Sequence, residues 1–246
     1  MRVEAGRGWG WIVEGWRLFV KAPGIWIVML LIYLGISVVL SFIPFIGTLA
    51  HALLNPLLIG GMLYGAAALA RGEALEIGHL FRGFQDQERM GPLIMLGLIG
   101  LAGYVLIFLV IVVFVGGSVA TGVMLDGAGT GVSAAAGGLF AGAALIALLV
   151  ILAIALLVTM ALFYGIPLVM LAGQNAWPAA QDSIAACWIN ILPLLVFGLI
   201  YLGLMIAAII PLMLGFLILA PVTFGAVYAS YRDVFGDARP AVSLSK

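Results

Sequence analysis

Residues 22–70 read APGIWIVMLLIYLGISVVLSFIPFIGTLAHALLNPLLIGGMLYGAAALA, a run without one Asp, Glu, Lys or Arg. Spanning a bilayer takes about 20 predominantly apolar residues, so this run is too long for one helix. Ile43-Pro44-Phe45-Ile46-Gly47 lies near its middle. Proline removes a helical donor and glycine permits a turn. The stretch therefore predicts two membrane-spanning helices, about 24–43 and 47–70, joined by a tight turn.

The same reading extends along the chain. Three further charge-free runs cover residues 90–125, 127–181 and 183–231. The third span is expected at 92–116. The next apolar run continues to Ala172, and its length places a break at Gly165 and Pro167, with a fourth span at 140–164. Residues 191–230 split at Ile210-Pro211-Leu212-Met213-Leu214-Gly215 into a fifth and a sixth. The expected fold class is an all-α polytopic membrane protein, with six transmembrane helices in three hairpins. Residues 1–23 form an N-terminal amphipathic interfacial segment, 24–236 the six-span domain and 237–246 a cytoplasmic tail. The first apolar run starts too far in, and runs too long, for a cleaved signal peptide.

Composition agrees with this class. Hydrophobic residues make up 65% of the 246 and charged residues only 8%, with a mean hydropathy of +1.31. Soluble domains carry about 25% charged residues, so the bilayer must serve as solvent. The ten basic residues set the orientation. Arg2, Arg7, Arg17 and Lys21 precede the first span; Arg71, Arg82 and Arg89 lie between the second and third; Arg232, Arg239 and Lys246 follow the last. Six spans put all of them on one side, which the positive-inside rule makes cytoplasmic. Both termini then face the cytoplasm, and Asp126 is the one acidic residue left outside.

A unit recurs. Ahead of each expected hairpin sits an amphipathic segment and then a proline. Trp9, Ile12, Val13, Trp16 and Val20 oppose Glu14, Arg17 and Lys21 before Pro23. Ile77, Leu80, Phe81 and Phe84 oppose His79, Arg82, Asp86 and Arg89 before Pro92. Trp177, Ala180, Ile184 and Trp188 oppose Gln181 and Asp182 before Pro193. Such spacings put one apolar face on a helix. Leu31-Ile32-Tyr33-Leu34-Gly35 recurs as Leu199-Ile200-Tyr201-Leu202-Gly203. Pro56 to Gly60 with Tyr64 parallels Pro221 to Gly225 with Tyr228. An ancestral repeat and coincidence in an apolar alphabet both account for this. The segments form either anchors or a docking face for lipid or a partner, with Trp9, Trp16, Arg17, Lys21, Arg82, Arg89, Trp177 and Trp188 as the candidate interfacial residues.

Few residues carry chemistry. Thr48, His51 and Asn55 make a polar stripe on the second span, with Ser37 and Ser41 available opposite. It serves either as a small cavity for a solute, ion or headgroup or as interhelical hydrogen bonding. No Asp, Glu, Lys or Arg lies within an expected span, which disfavours ion-coupled transport. Phosphate-loop, zinc-protease and serine-hydrolase motifs are missing from the sequence. One cysteine, Cys187, and two histidines disfavour a metal site. No catalytic residue, cofactor or metal is expected, and no basic stripe suggests nucleic acid. Glycines at 117, 122, 127, 129, 131, 137 and 138 predict a long outer loop over 117–138, either mobile or ordered. Gly61/Gly65 and Gly138/Gly142 are small-x-x-x-small pairs suited to close helix packing.

Gly8-Trp9-x-Trp11-Ile12-x-x-Gly15-Trp16-x-Leu18-Phe19 with Pro23 resembles a family of uncharacterised proteobacterial six-span inner-membrane proteins. So do Ile43-Pro44 with Gly47, the Pro56 to Gly60 element, Leu80-Phe81-x-Gly83-Phe84, and Tyr228-x-x-Tyr231-Arg232-Asp233-x-Phe235. More loosely, the arrangement is similar to the membrane domain of bacterial glycerophosphodiester phosphodiesterases; no phosphodiesterase domain is recognisable. The likeness implies a bacterial inner membrane and assigns no role to any residue. The expected function is a non-catalytic accessory, scaffold or lipid-associated component of a membrane assembly. Its partners would be membrane lipids, a membrane protein or a second copy of the chain. The alternative is a transporter or channel for a small neutral or amphipathic solute, with a cavity near His51, Asn55 and helix breaks at Pro56 and Pro221.

Overall fold

The computed structural model describes residues 1–127 and 134–236, and they contain helices and turns without a strand. The expected tail, with Arg239 and Lys246, lies outside the described residues. Two compact units divide the chain: residues 1–98 with 160–246, and residues 99–159.

In the first unit, α1 (Arg7–Lys21) leads to α2 (Pro23–Ser41) and α3 (Ile46–Ala70). Pro23 opens α2 where its missing N–H costs nothing. The turn between α2 and α3 falls at 42–45, with Phe45 at φ 60°. Residues 77–85 then form one 3-10 turn and the single-turn helix α4 (Arg82–Gln85). This corrects the expected amphipathic helix. Leu75 and Leu80 are pulled into the protein instead of lying along an interface. The long helix α5 (Gln87–Gly127) begins in this unit and ends in the second, and α6 (Ala134–Ala172) begins in the second and ends in this one. After them come α7 (Ala176–Ile189), α8 (Ile191–Ile209) and α9 (Phe216–Phe235).

Within residues 99–159, Gly103 meets the Val158 side chain, and the Thr159 hydroxyl, at the border with the first unit, donates back to the Ala155 carbonyl at 2.8 Å. The expected 117–138 loop is corrected. Residues 117–127 and 134–138 are helical, and 128–133 lie outside the described residues. Glycine costs a helix only about 1 kcal/mol. Where no water satisfies free peptide groups, helical bonding outweighs that cost.

Three other expected breaks are corrected as well. Pro56 and Pro221 lie inside the uninterrupted α3 and α9, and α6 runs through Gly165 and Pro167. Ser183 of α7 sits beside α6 at this point. The Tyr164 amide donates to its hydroxyl at 2.9 Å, and that hydroxyl donates to the Met160 carbonyl. Tyr164 and Met160 are an i, i+4 pair that α6 can rejoin directly. Ser183→Ala is therefore expected to cost only about 1 kcal/mol in thermal unfolding; a several-fold larger loss would show that the hydroxyl is structurally indispensable.

Five described helices are long and apolar enough to cross a membrane: α2, α3, 87–114 of α5, 141–172 of α6, and α8. The twenty-residue α9 falls outside this group because its last turn carries Arg232 and Asp233. Elements α1–α2–α3 (15, 19 and 25 residues) and α7–α8–α9 (14, 19 and 20) recur in order and near-equal length. Gly47 closes on the Leu40 carbonyl, and Gly215 closes on Ala208, the same seven-residue step.

Each leading segment docks on the second helix of a pair other than its own. Residues 77–85 pack on α3, where a Cβ on Gly61 would lie 2.1 Å from the Leu80 carbonyl. The Gly61/Gly65 pair thus receives this segment and Leu75 just before it, with Met29 of α2 also beside Gly65. Segment α7 bonds α6 through Ser183 and Cys187. Helix α1 packs chiefly on α9, crossing it at Gly15 and Gly225. Gly142 has open space around it, and Gly138 is outside the described side chains.

Candidate functional site

The charged residues gather where the C-terminal ends of α3 and α9 meet α1 and the start of α5. Helix α1 repeats Arg7, Glu14 and Lys21 at seven-residue steps, which places them on one stripe. Arg7 Nε donates to Asp233 Oδ2 at 2.7 Å, and its Nη2 donates to Glu14 Oε1 at 2.8 Å. Arg232 Nη2 reaches Glu14 Oε2 at 2.7 Å. The bonds to Glu14, then to Asp233, raise the Arg7 pKa further above its ordinary value. Trp11, fully buried, donates its indole N–H to Asp233 Oδ2 at 2.8 Å and meets Phe197 edge-on. Lys21 Nζ caps the α3 end through the Leu69 carbonyl at 3.0 Å, a favourable place for a cation. Buried Asn190 accepts from the Val3 amide at 2.8 Å and donates to the carbonyls of Met1 and Ala186, tying residues 1–3 to the start of α8.

Beside this network lies a cavity of about 510 Å³. Arg71 from α3, Arg89 from α5 and Arg232 from α9 line it, with Tyr64, Tyr228 and Tyr231. Arg71 pairs with Glu73 at 2.7 Å, Arg89 with Asp86 at 3.1 Å, and Arg232 with Glu14 at 2.7 Å. Arg89 also donates to the Met170 carbonyl at the end of α6. Bonding to Arg71 lowers the Glu73 pKa, so that pair is ionised at neutral pH. Arg71 and Arg82 both stand over the Tyr64 ring, at 5.8 and 5.5 Å.

The sequence-derived interfacial residues are distributed unevenly. Trp9, Trp16, Trp177 and Trp188 are exposed, as is Arg17. Trp9, Val13 and Trp16 border an apolar groove of about 420 Å³ with Leu204, Ala208 and Ile218. The face of α1 that docks is a neighbouring one, built from Gly8, Trp11, Gly15 and Leu18. On α7 the buried face consists of Ala176, Ala179, Ala180, Ser183, Ala186 and Cys187, and both tryptophans point away from it. Arg89 alone of the expected set lines the basic cavity. The polar stripe lies elsewhere: Asn55 Oδ1 accepts from the Tyr33 hydroxyl at 2.9 Å and so joins α2 to α3. Ser37 and Ser41 bond carbonyls of their own helix, His51 is half-buried, and Thr48 is exposed.

Sequence reasoning missed Trp11, Arg71, Tyr231 and Arg232 as site members. Their one legible signal is that Tyr64 with Arg71, and Tyr228 with Arg232, close corresponding helices. Among the described residues no group of three His, Cys, Asp or Glu side chains is placed to hold a metal.

This architecture defines the class, a multi-pass all-α membrane protein. No family model, curated protein or solved structure matches the chain, so the family likeness rests on the quoted residues alone.

Proposed function

We propose that the chain is a non-catalytic, six-span protein of a bacterial inner membrane, with both termini in the cytoplasm, acting as a lipid-associated scaffold or accessory component. The supporting observation is the concentration of chemistry at one end of the first unit. Arg7, Lys21, Arg71, Arg89 and Arg232 lie at or near helix ends, tied to carboxylates or helix-end carbonyls. In this reading α9 is the sixth span, with Arg232 and Asp233 at the cytoplasmic surface. The likeness to proteobacterial inner-membrane proteins belongs to the same proposal.

Scaffold work needs a rigid core and an accessible face. Helix α3 is the most buried of the candidate spans: 67% of its apolar 18-residue stretch is buried, against 17% of the corresponding stretches of α2 and α8. The exposed apolar sides of α2 and α8 suit lipid or another membrane helix. Purification from native membranes in mild detergent is expected to return the chain with a defined lipid or protein stoichiometry. A lone, lipid-free monomer across several detergents would contradict the proposal.

A further inference from the structure

We propose that the cavity lined by Arg71, Arg89 and Arg232 binds a phosphate group, presented by an anionic lipid or as free phosphate. The proposal deepens the lipid-associated reading and rests on it for the cytoplasmic placement of the cavity.

Three guanidinium groups from sequence-distant positions converge there, and among the described residues no carboxylate lines it. Each arginine has a carboxylate partner, yet none of those partners lines the cavity. Donors remain. A guanidinium carries five N–H groups. Arg71 uses Nε and Nη2 on Glu73, Arg232 uses Nη2 on Glu14, and Arg89 uses Nε on Asp86 and Nη1 on Met170. Planar forks of this kind match phosphate oxygens.

Neutralising helix C-termini is the competing role for these arginines. It fits Arg89, which donates to the Met170 carbonyl. Arg71 and Arg232 spend their bonds on carboxylates instead. Nor does it account for Tyr231. This residue is only 2% exposed, lines the cavity, and has a buried hydroxyl without a hydrogen-bond partner among the described residues. Leaving a buried hydroxyl unpaired is unfavourable, and a phosphate oxygen supplies the acceptor it lacks. The space exceeds what a bare anion fills, and Ala67, Ala70 and Leu171 form an apolar wall for the part of a lipid next to its phosphate.

The test follows thermal unfolding of the full chain purified in detergent. The probes are dioctanoyl phosphatidic acid, inorganic phosphate and dioctanoyl phosphatidylcholine. Phosphatidic acid is expected to raise the midpoint saturably and phosphatidylcholine not to. A phosphate response matching that of phosphatidic acid assigns the site to the free anion; a response to phosphatidic acid alone assigns it to the headgroup. Tyr231→Phe removes only the unpartnered hydroxyl, so the unliganded midpoint should hold while binding weakens about fivefold. Arg71→Gln, which breaks one exposed pair, should weaken binding about tenfold. Arg2→Gln, outside the cavity, should match wild type. Absence of a response to both phosphatidic acid and inorganic phosphate, an equal response to phosphatidylcholine, or wild-type binding by both cavity variants, overturns the site. If the chain still copurifies with lipid or a partner in that case, the scaffold reading survives without this site.

Discussion

Gly15→Val is expected to be among the most damaging single substitutions in the first unit, lowering stability by about 3 kcal/mol. A Cβ at this position would stand 2.2 Å from the Val222 carbonyl oxygen and 2.7 Å from the Ala226 amide nitrogen. Both obstacles are backbone, so no side-chain rotation relieves them. Helix α9 makes the opposite contact with Gly225, whose added Cβ would stand 2.8 Å from the Gly15 Cα. To accept valine, α1 must lift from α9, which exposes Trp11 and unseats its bond to Asp233. The midpoint of thermal unfolding should fall by about 10 °C, and protease should cleave near residues 1–21 at lower concentration. Gly10→Val, whose nearest neighbours are atoms of the flexible Arg7 side chain, should be far milder. Equal effects at the two positions would contradict the docked placement of α1.

Asp233→Ala carries the second large effect, about 2–3 kcal/mol. One carboxylate oxygen, Oδ2, accepts from both the buried Trp11 indole and the Arg7 guanidinium. Removing it strands a donor in a site with no exposure, and an unpaired buried donor pays its full desolvation cost. Trp11→Phe deletes that donor while keeping an aromatic ring against Phe197. The double variant Trp11→Phe/Asp233→Ala should therefore cost about 1 kcal/mol less than the two single losses added together. Strict additivity in unfolding measurements would mean that the indole–carboxylate bond contributes nothing.

Much of the fold was legible because the bilayer imposes a long apolar period that composition cannot hide. The turn at Ile43–Gly47 and that at Ile210–Gly215 were readable from proline and glycine following uncharged runs. Proline and glycine misled where they sat inside apolar helices. Pro56, Pro167 and Pro221 continue their helices, and the glycines of 117–127 do not open a loop. A residue's helix-breaking tendency in water does not transfer to a segment whose backbone must bond to itself.

The site was less legible, because its members come together only through docking between remote segments. Periodicity alone favoured Trp9 and Trp16 on α1. The docked face uses Gly8, Trp11 and Gly15 instead, since close approach to α9 requires small residues beside one large ring. Charge counting placed Arg71, Arg89 and Arg232 at one level but could not make them neighbours. Asn55 and Tyr33 were each visible in the sequence, yet their pairing needed the angle between α2 and α3.

Cysteine labelling bears most directly on the one-sided membrane arrangement. Cys187 is buried and, replaced by alanine, leaves a background free of thiols. Into it are placed Phe42→Cys and Ile210→Cys at the two exposed turns, and Glu73→Cys and Glu88→Cys beside the basic cluster. With a membrane-impermeant maleimide, the two turn positions should react in intact cells whose outer membrane has been opened. The two glutamate positions should react only once the inner membrane is permeabilised. Labelling of Ile210→Cys on the same side as Glu73→Cys would contradict the six-span reading and the common cytoplasmic face built on it.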